Sequence, residues 1–504
     1  MGNAYIMVVL GIVFAKGLGF FRDIIFAQFF GTGTMADIYF QVFGLVTLIF
    51  TGIGVALSTL VIKNINKPEN SGQEKAYVSY FIKKSFGWLV VASVLMALFS
   101  KPIINIILPN LSPENFNIAT ELFYIMIPSL IFVVIAYIIS GVLQNERAFF
   151  ITSVMSLPYN ILIILTLYML DVSVITIGVV TTIGWFLHIL ILLPSFYKKK
   201  YSLISKDKYS SHSGKNVEIL WIFISNMMFQ LCFYTDRAFV TGSAGMASTF
   251  NYASTLFVTI SSIFVVAMST VIFPAISKNY EEGNIDYVND LLRYIISTMT
   301  AIFLPFLLVI GVFGSDIIRL LYERGSFTAE STTGVSIMFF IYSLGILGYV
   351  CQELFNKILY LAGKYTYPVI GTLVIILVNA ICNIAIKYFV PDVTLNGMNL
   401  TLQSLCIAIS TSVLLSGYAI LIATGIKKVV GAYWKKDLLI TIAKIFASGA
   451  LAFVVYILFN TFMPEFTHGY ITFVIPLACC GIVYAGSLIA TGTLKYLLKN
   501  ARKD

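Results

Sequence analysis

Long apolar runs separated by short polar breaks fill nearly the whole chain. A helix that crosses a membrane needs about 20 mostly apolar residues, and about fourteen runs reach that length. The spans that this pattern predicts are residues 3–30, 35–62, 78–100, 118–143, 149–170, 173–196, 216–240, 245–276, 287–313, 331–359, 366–388, 397–425, 438–461 and 470–494. The pattern therefore predicts an all-α polytopic membrane protein.

Composition agrees with that fold class. Of 504 residues, 59% are hydrophobic and 11% are charged, whereas about 25% of residues are charged in an ordinary soluble domain. The three histidines, His188, His212 and His468, are far apart in sequence, so no metal site is predicted. No Walker or Rossmann glycine pattern and no HExxH motif occurs in the sequence, which argues against an enzyme.

Basic residues gather in alternate loops. The loops after the even-numbered spans and the C-terminal tail hold most of the lysines and arginines. Such loops are cytoplasmic in membrane proteins, so both termini are predicted to lie in the cytoplasm. The net charge of +9 is then explained by loops that face anionic lipid, and no nucleic-acid partner is expected. Four basic residues instead lie inside or at the edge of a span: Lys16, Arg22, Arg237 and Lys444.

Two stretches of the chain resemble each other. Residues 34–62, TMADIYFQVFGLVTLIFTGIGVALSTLVI, align without gaps with residues 245–273, GMASTFNYASTLFVTISSIFVVAMSTVIF. Upstream of them, RDIIFA at 22–27 stands opposite TDRAFV at 235–240. The matched spans have the same orientation, so they predict a parallel repeat, an arrangement found in transporters. The predicted domains are an N-terminal lobe at 1–197, a basic cytoplasmic linker at 198–215, a C-terminal lobe at 216–426, and spans 13 and 14 with the tail at 427–504.

Ionisable residues in the predicted spans mark candidate functional positions, because charge inside a bilayer is costly. Lys16 and Arg22 lie on span 1, and Asp37 begins span 2. At about 100° per residue, the side chains of Lys16 and Arg22 point about 120° apart. The two cations can therefore border one cavity without forming one tight clamp, and Arg237 is the corresponding cation of the second lobe. Cations of this kind suit a phosphate or diphosphate.

A structural interpretation stays open for the same charges. Arg22 is followed by Asp23, and Asp236 is followed by Arg237. Adjacent opposite charges near a span end can neutralise each other locally and hold helices in place. The residues alone do not separate this interpretation from a substrate-binding one.

Two amides share one face of span 11. Asn379 and Asn383 are spaced i, i+4, which places them on the same side of a helix. They either form hydrogen bonds with a neighbouring helix or, together with Asp236, supply oxygen ligands to a hard cation such as sodium. Both interpretations stay open at this point.

Several motifs resemble those of one known family. The stretch GLGFFRDIIFAQFFGTGTMADIYF is similar to the first-span signature of the MurJ (MviN) lipid II flippases, in the multidrug/oligosaccharidyl-lipid/polysaccharide (MOP) exporter superfamily. Further similarities are TDRAF at 235–239, STVIFPAIS at 269–277 and LYERGSFTAEST at 321–332. The resemblance runs from span 1 to span 10, and the later spans fit a plan of fourteen helices.

The resemblance implies an inner-membrane flippase for an undecaprenyl-diphosphate-linked sugar precursor. A monomer is expected, and the parallel repeat favours alternating access by rocking of the two lobes. The resemblance implies that Lys16, Arg22 and Asp37 contribute to the substrate cavity, and we add Arg237 as its second-lobe counterpart. No cofactor is expected, and coupling to sodium or to the membrane potential stays open. In some members of the family a sodium site lies at positions that correspond to Asp236, Asn379 and Asn383. The resemblance also implies an apolar groove for the polyprenyl tail at spans 13 and 14.

One departure from the family pattern leaves the cargo open. The stretch that commonly reads NYANRL in the family is NYASTL here, with Ser254 and Thr255 where asparagine and arginine are expected. The first hypothesis is a flippase for lipid II, and the alternatives are a flippase for another polyprenyl-linked polysaccharide or teichoic precursor, or a cation-coupled exporter of small molecules. A polyprenyl-dependent glycosyltransferase is disfavoured, because no acidic sugar-nucleotide motif stands in any loop.

Overall fold

Helices account for nearly all of the residues that the computed structural model describes, which are 2–67, 70–169, 172–204, 209, 230–268, 272–395, 400–462 and 474–501. The first ten helices are α1 (Gly2–Phe30), α2 (Thr34–Ile65), α3 (Glu74–Leu98), α4 (Ser100–Ile107), α5 (Pro113–Met126), α6 (Ser129–Asn145), α7 (Phe149–Ser153), α8 (Leu157–Met169), α9 (Val174–Lys198) and α10 (residues 230–240). The rest are α11 (Met246–Ala267), α12 (Phe273–Glu281), α13 (Ile285–Tyr322), α14 (Ala329–Ser343), α15 (Ile346–Leu361), α16 (Thr366–Phe389), α17 (Leu402–Val430), α18 (Lys436–Phe462), α19 (Val474–Ala490) and α20 (Thr493–Ala501).

These helices confirm the predicted all-α polytopic membrane fold. Within the described ranges, nine helical segments are long and apolar enough to cross a membrane, and the bent pair α14 and α15 makes a tenth. The helix α19 is apolar but shorter. Helical residues occur in each predicted span, although the first part of span 7, residues 216–229, lies outside the described residues. The total of fourteen spans stays a prediction.

Some predicted spans are broken helices. Span 4 consists of α5 and α6, which meet at Pro128. Proline has no amide hydrogen and its ring clashes with the carbonyl four residues earlier, so it interrupts the helical hydrogen-bond ladder. Span 10 consists of α14 and α15, which are bent by 44°. The apolar pattern predicts the span but does not show the break.

The packing of α2 against α6 depends on small residues. Gly141 lies against the Ser58 side chain, and a Cβ atom at Gly141 would overlap the Ser58 hydroxyl. Gly54 lies in the same way against the ring of Tyr137. Small residues let the backbones of membrane helices approach closely, which strengthens van der Waals packing where no hydrophobic effect operates between helices.

The chain divides by its contacts into two compact units. Unit 1 comprises Met1–Tyr252, Tyr322–Ser331 and Asn383–Ser404. Unit 2 comprises Ala253–Leu321, Thr332–Cys382 and Leu405–Asp504. In unit 2, α18 packs against α19 around Ile445 and Tyr484, and the Tyr484 hydroxyl donates a hydrogen bond to the Ala301 carbonyl at 2.8 Å. The lobe boundaries at 197, 215 and 426 remain predictions, and most of the linker lies outside the described residues.

Candidate functional site

A cavity of about 620 Å³ lies within unit 1, between α1, α2, α6, α7, α8 and α9. Its lining residues are Ile12, Ala15, Lys16, Gly19, Arg22, Phe43, Thr47, Tyr137, Gln144, Phe149, Thr152, Ser153, Met155, Ser156, Tyr159, Asn160, Trp185 and His188. Two of these described lining residues are cations and none is an acid. The cavity therefore offers positive charge and polar groups inside a bundle of membrane helices, where ionisable groups usually serve a function.

Arg22 is held in a fixed orientation at the wall of this cavity. Its guanidinium donates to one carboxylate oxygen of Asp23, from Nη2 at 2.7 Å and from Nε at 3.0 Å. Its Nη1 donates to Oδ1 of Asn160 at 3.1 Å. The guanidinium carbon also lies 5.2 Å from the ring centre of Tyr159, within the range of a cation–π interaction. The local pairing of Arg22 with Asp23, one of the two interpretations of the sequence, is thus present, and Arg22 still lines the cavity.

Lys16 is different because it is exposed to the cavity. The structure gives Lys16 no hydrogen bond or ion pair to any other residue that it describes. Both Lys16 and Arg22 border one cavity, as the 120° separation on α1 predicts. One cation of the pair is therefore held by protein groups, and the other is available to a ligand.

Among the lining residues that sequence reasoning missed are Tyr159, Asn160, Trp185 and His188. Asn160 is 4% exposed, binds Arg22 through its oxygen, and donates from Nδ2 to the Ser156 carbonyl at 3.0 Å. The rings of Tyr159, Trp185 and His188 contact one another, with centroid separations from 5.2 to 5.9 Å. The available signal was the presence of an amide and an imidazole within two apolar spans.

Asp37 lies outside this cavity lining and has another role in unit 1. Its carboxylate is 4% exposed and accepts two backbone hydrogen bonds of 2.6 Å, from the amides of Gly245 and Ser248. Ser248 lies in the first turn of α11, and Gly245 is the residue before that helix. The first amides of a helix have no intrahelical partner and carry partial positive charge, so a carboxylate there is stabilised without a cation.

Three segments that join or begin helices meet around Asp37 in what we call the loop cluster, formed by residues 28–37, 245–252 and 325–331. The Ser326 amide donates to the Gln28 carbonyl at 2.8 Å, and the hydroxyls of Thr32 and Ser331 are 2.6 Å apart. The Tyr252 hydroxyl donates to the Gly31 carbonyl at 3.1 Å. All of these residues belong to unit 1.

Glycine is required at two positions of the loop cluster. Gly31 has φ +55° and Gly325 has φ +59°, in the left-handed region that costs an L-residue about 1–2 kcal/mol. A Cβ atom at Gly31 would also overlap the Ser326 carbonyl, and one at Gly325 would overlap the Gln28 carbonyl. The backbone segments around residues 28–31 and 325–326 therefore approach each other at a distance that only glycine permits.

Arg237 is not among the residues that line the cavity. Its Nη1 donates to Oδ1 of Asn251, and its guanidinium carbon lies 5.6 Å from the ring centre of Tyr234. The chain of α2 passes close to this guanidinium at Gly44. Arg237 is thus held near the path of α2, and its predicted contact with substrate stays a prediction.

The three residues of the predicted cation site fall in both units. In unit 1, Asn383 donates from Nδ2 to Oδ1 of Asp236 at 2.9 Å. In unit 2, Asn379 donates from Nδ2 to the Thr411 hydroxyl at 2.9 Å. Both amides thus make the helix-to-helix hydrogen bonds of one interpretation. The buried Oδ1 of Asn383 accepts no hydrogen bond in the described part of the chain, and an oxygen of this kind suits a hard cation.

A cationic cavity among membrane helices is typical of a polytopic membrane transporter. The model of the family described as "Lipid II flippase MurJ" matches residues 26–492. The chain belongs to this family.

Curated relatives agree with the family match. A probable lipid II flippase MurJ of Buchnera aphidicola subsp. Schizaphis graminum is 23% identical over 390 residues, which cover 74% of this chain and 75% of the relative. A lipid II flippase MurJ of Thermosipho africanus is 26% identical over 382 residues, which cover 74% and 78%.

Solved structures show the same fold. A structure entitled "Lipid II flippase MurJ, inward closed conformation" has a TM-score of 0.76 and 21% identity, and covers 97% of this chain and 99% of that one. A structure of an inward-facing multidrug resistance MATE transporter of the MOP superfamily matches with a TM-score of 0.61 and 15% identity. The match covers 82% of this chain and 94% of that one. The predicted family is thus confirmed by the family model, and the solved structures share the fold.

Proposed function

We propose that the protein is a flippase that moves lipid II, a polyprenyl-diphosphate-linked precursor of peptidoglycan, from the inner to the outer leaflet by alternating access. The family supports this function, since its description names a lipid II flippase. The observation that carries it for this chain is the cavity with Lys16 and Arg22 and without an acid among its described lining residues. Such a cavity favours a ligand with concentrated negative charge.

Lys16 and Arg22 have different roles in binding such a ligand. Arg22 is partly buried and is held by Asp23 and Asn160, so it keeps its charge at one place in the bundle. Three hydrogen bonds already hold its guanidinium. Arg22 therefore contributes a positive electrostatic potential, together with the N–H groups that stay accessible in the cavity. Lys16 has no such partner among the described residues and is exposed. A lysine is a compact charge with three donors, so Lys16 is the residue that binds a phosphate oxygen directly.

The loop cluster supports an alternating-access mechanism. By the charge pattern of the loops, the loop cluster stands on the outer side and the turn between α6 and α7 stands on the cytoplasmic side. The cavity lining includes Gln144 and Phe149 at that turn. The hydrogen bonds of the loop cluster close the outer end of unit 1, and substrate enters the cavity from the cytoplasm. Release outside then requires these bonds to break.

The remaining assignments follow from this function. The protein acts as a transporter without covalent catalysis, it is a multi-pass protein of the bacterial inner membrane with both termini in the cytoplasm, and it acts as a monomer. Sodium is proposed to bind near Asp236 and Asn383, because carboxylate and amide oxygens are the ligands that a hard cation prefers. We propose that the substrate's polyprenyl tail occupies the apolar groove lined by Pro305, Tyr456 and Tyr484 in unit 2.

Complementation of a strain depleted of its own lipid II flippase tests this function. The intact gene is expected to restore growth. A variant with Arg22→Gln and Asp23→Asn is expected to fail, because it removes both charges without leaving a buried carboxylate alone. Arg319→Ala is the matched control, since Arg319 is exposed and pairs with Asp316 on α13. Expression of each variant is measured in membranes.

Failure of the intact, well-expressed protein would remove lipid II as the cargo. A flippase for another polyprenyl-linked polysaccharide or teichoic precursor is the second candidate. The observation that favours it is that Ser254 and Thr255 stand where the family resemblance implies asparagine and arginine. Rescue of a strain that lacks a surface-polysaccharide flippase would then identify the cargo class.

A further inference from the structure

The part of the cavity wall that α9 forms contains buried polar atoms without hydrogen-bond partners in the described part of the chain. Trp185 is 7% exposed and His188 is 4% exposed. Nε1 of Trp185 and both ring nitrogens of His188 make no hydrogen bond within the described part of the chain. Nearly all buried polar groups of folded proteins are hydrogen-bonded, so three such atoms on one turn of α9 require an explanation.

These atoms differ in chemistry from the cations of the cavity. The indole of Trp185 only donates, whereas a neutral imidazole donates from one nitrogen and accepts at the other. The described lining residues include no carboxylate that would stabilise a charged imidazole. A phosphate only accepts hydrogen bonds from such groups, and Lys16 and Arg22 already serve that purpose. A wall that both donates and accepts instead matches hydroxyl and acetamido groups, which are uncharged.

The position of the wall relative to Arg22 also matters. The ring of Tyr159 contacts the Arg22 guanidinium on one side, with 5.2 Å between the guanidinium carbon and the ring centre. The same ring contacts Trp185 and His188, with centroid distances of 5.6 and 5.9 Å. The polar wall and the cation are therefore separated by one aromatic side chain. Two chemical groups joined directly in a ligand can occupy both places.

We propose that Trp185 and His188 form a sugar subsite, which binds a hydroxyl or acetamido group of the sugar attached directly to the diphosphate. This inference rests on the proposed function, because that function supplies the diphosphate-linked sugar. The diphosphate lies at Lys16 and Arg22, and the first sugar lies across Tyr159 against α9. The subsite distinguishes a lipid that carries a sugar from one that carries the diphosphate alone.

Binding of two probes to the full-length protein in lipid nanodiscs tests this inference. The probes are lipid II and undecaprenyl diphosphate without sugar. Trp185→Phe and His188→Phe each keep an aromatic ring and remove the nitrogen atoms. Each is expected to weaken binding of lipid II by about five- to tenfold, the effect of one lost hydrogen bond, and to leave binding of undecaprenyl diphosphate unchanged. Trp88→Phe is the matched control, because Trp88 lies on α3 and is 68% exposed.

The remaining outcomes separate the subsite from the proposed function. Equal weakening of both probes, or of neither, would overturn the subsite. A purely structural role predicts a lower melting temperature in both variants, whereas the subsite predicts no loss, since these nitrogens bind no described protein group. If the intact protein binds neither probe, the proposed function itself is wrong.

Discussion

The loop cluster and the cavity of unit 1 differ in how far their polar groups are bonded within the protein. In the loop cluster, the Asp37 carboxylate, the Ser326 amide and the Thr32 hydroxyl each have a protein partner within 2.9 Å. In the cavity, Arg22 and Asn160 also have protein partners. However, Lys16 is exposed there, and the buried nitrogens of Trp185 and His188 have no partner in the described part of the chain.

This difference distinguishes the proposed closed outer end from the proposed substrate site. A buried polar group without a partner costs about 1–3 kcal/mol, so unsatisfied groups persist where a ligand or water completes them. Satisfied groups stabilise the conformation in which they are seen. The loop cluster is therefore expected to control a conformational equilibrium, and the cavity is expected to control affinity. Variants in the two regions should change different measured quantities.

A disulfide across the loop cluster is expected to have the largest effect. The hydroxyl oxygens of Thr32 and Ser331 are 2.6 Å apart, so Thr32→Cys with Ser331→Cys places two sulfurs within reach of a bond. Oxidation of this double variant is expected to abolish lipid II flipping, because the outer end can no longer open. Reduction is expected to restore it, as measured in proteoliposomes.

Two controls accompany the disulfide. The intact protein, whose cysteines are all free in the described residues, receives the same oxidant, and Thr32→Cys alone tests the substitution. If the oxidised double variant flips lipid II at the normal rate although the disulfide has formed, the loop cluster does not open during transport.

A methyl group at Gly31 is expected to have the next largest effect. Gly31→Ala adds strain at φ +55° and an overlap with the Ser326 carbonyl, so a loss of stability above about 2 kcal/mol is expected. Gly72→Ala is the matched control, because Gly72 has φ +82° and no atom within 4 Å of the added Cβ. Thermal unfolding in detergent measures both. Equal shifts in the two variants would mean that strain alone, and not the close approach, determines the effect.

The sequence predicted the helices well because the bilayer imposes a simple rule. Every backbone polar group in hydrocarbon must be bonded internally, so an apolar run of sufficient length has to be helical. The predicted spans 2 and 11, residues 35–62 and 366–388, differ from Thr34–Ile65 and Thr366–Phe389 by at most three residues at an end. The break at Pro128 was missed, since the apolar pattern continues through it.

The site was predicted only in part because its other half is formed by distant contacts. Lys16 and Arg22 could be found from charge alone, whereas Asn160 and His188 come to the same cavity through the packing of α8 and α9. The internal repeat could have indicated the hydrogen-bond partner of Asp37. The alignment of residues 34–62 with 245–273 pairs Asp37 with Ser248, and these two residues are in contact. Equivalent residues of a parallel repeat meet only near its axis.

Removal of the Asp37 carboxylate is expected to have an intermediate effect. Asp37→Ala leaves the Gly245 and Ser248 amides unpaired, and loss of such a helix cap costs about 1–2 kcal/mol. The outer end should then open more often. In the background with Thr32→Cys and Ser331→Cys, the rate of disulfide formation is expected to fall.

Asp37→Asn is the matched variant for this test. It keeps one oxygen that can accept from Ser248, so its effect should lie between those of the intact chain and of Asp37→Ala. An unchanged rate of disulfide formation in Asp37→Ala would show that the cap does not hold the loop cluster closed.

The smallest effect is expected at the support of Arg22. Asn160→Ala removes the hydrogen bond from Nη1 of Arg22 but leaves the pairing with Asp23, so the charge stays in the cavity and only its orientation loosens. Affinity for lipid II is expected to fall by about threefold, below the full value of one hydrogen bond to a charged group. Disulfide formation between Thr32→Cys and Ser331→Cys should not change, since the loop cluster is intact. A change in that rate without a change in affinity would reverse the division of roles between the two regions.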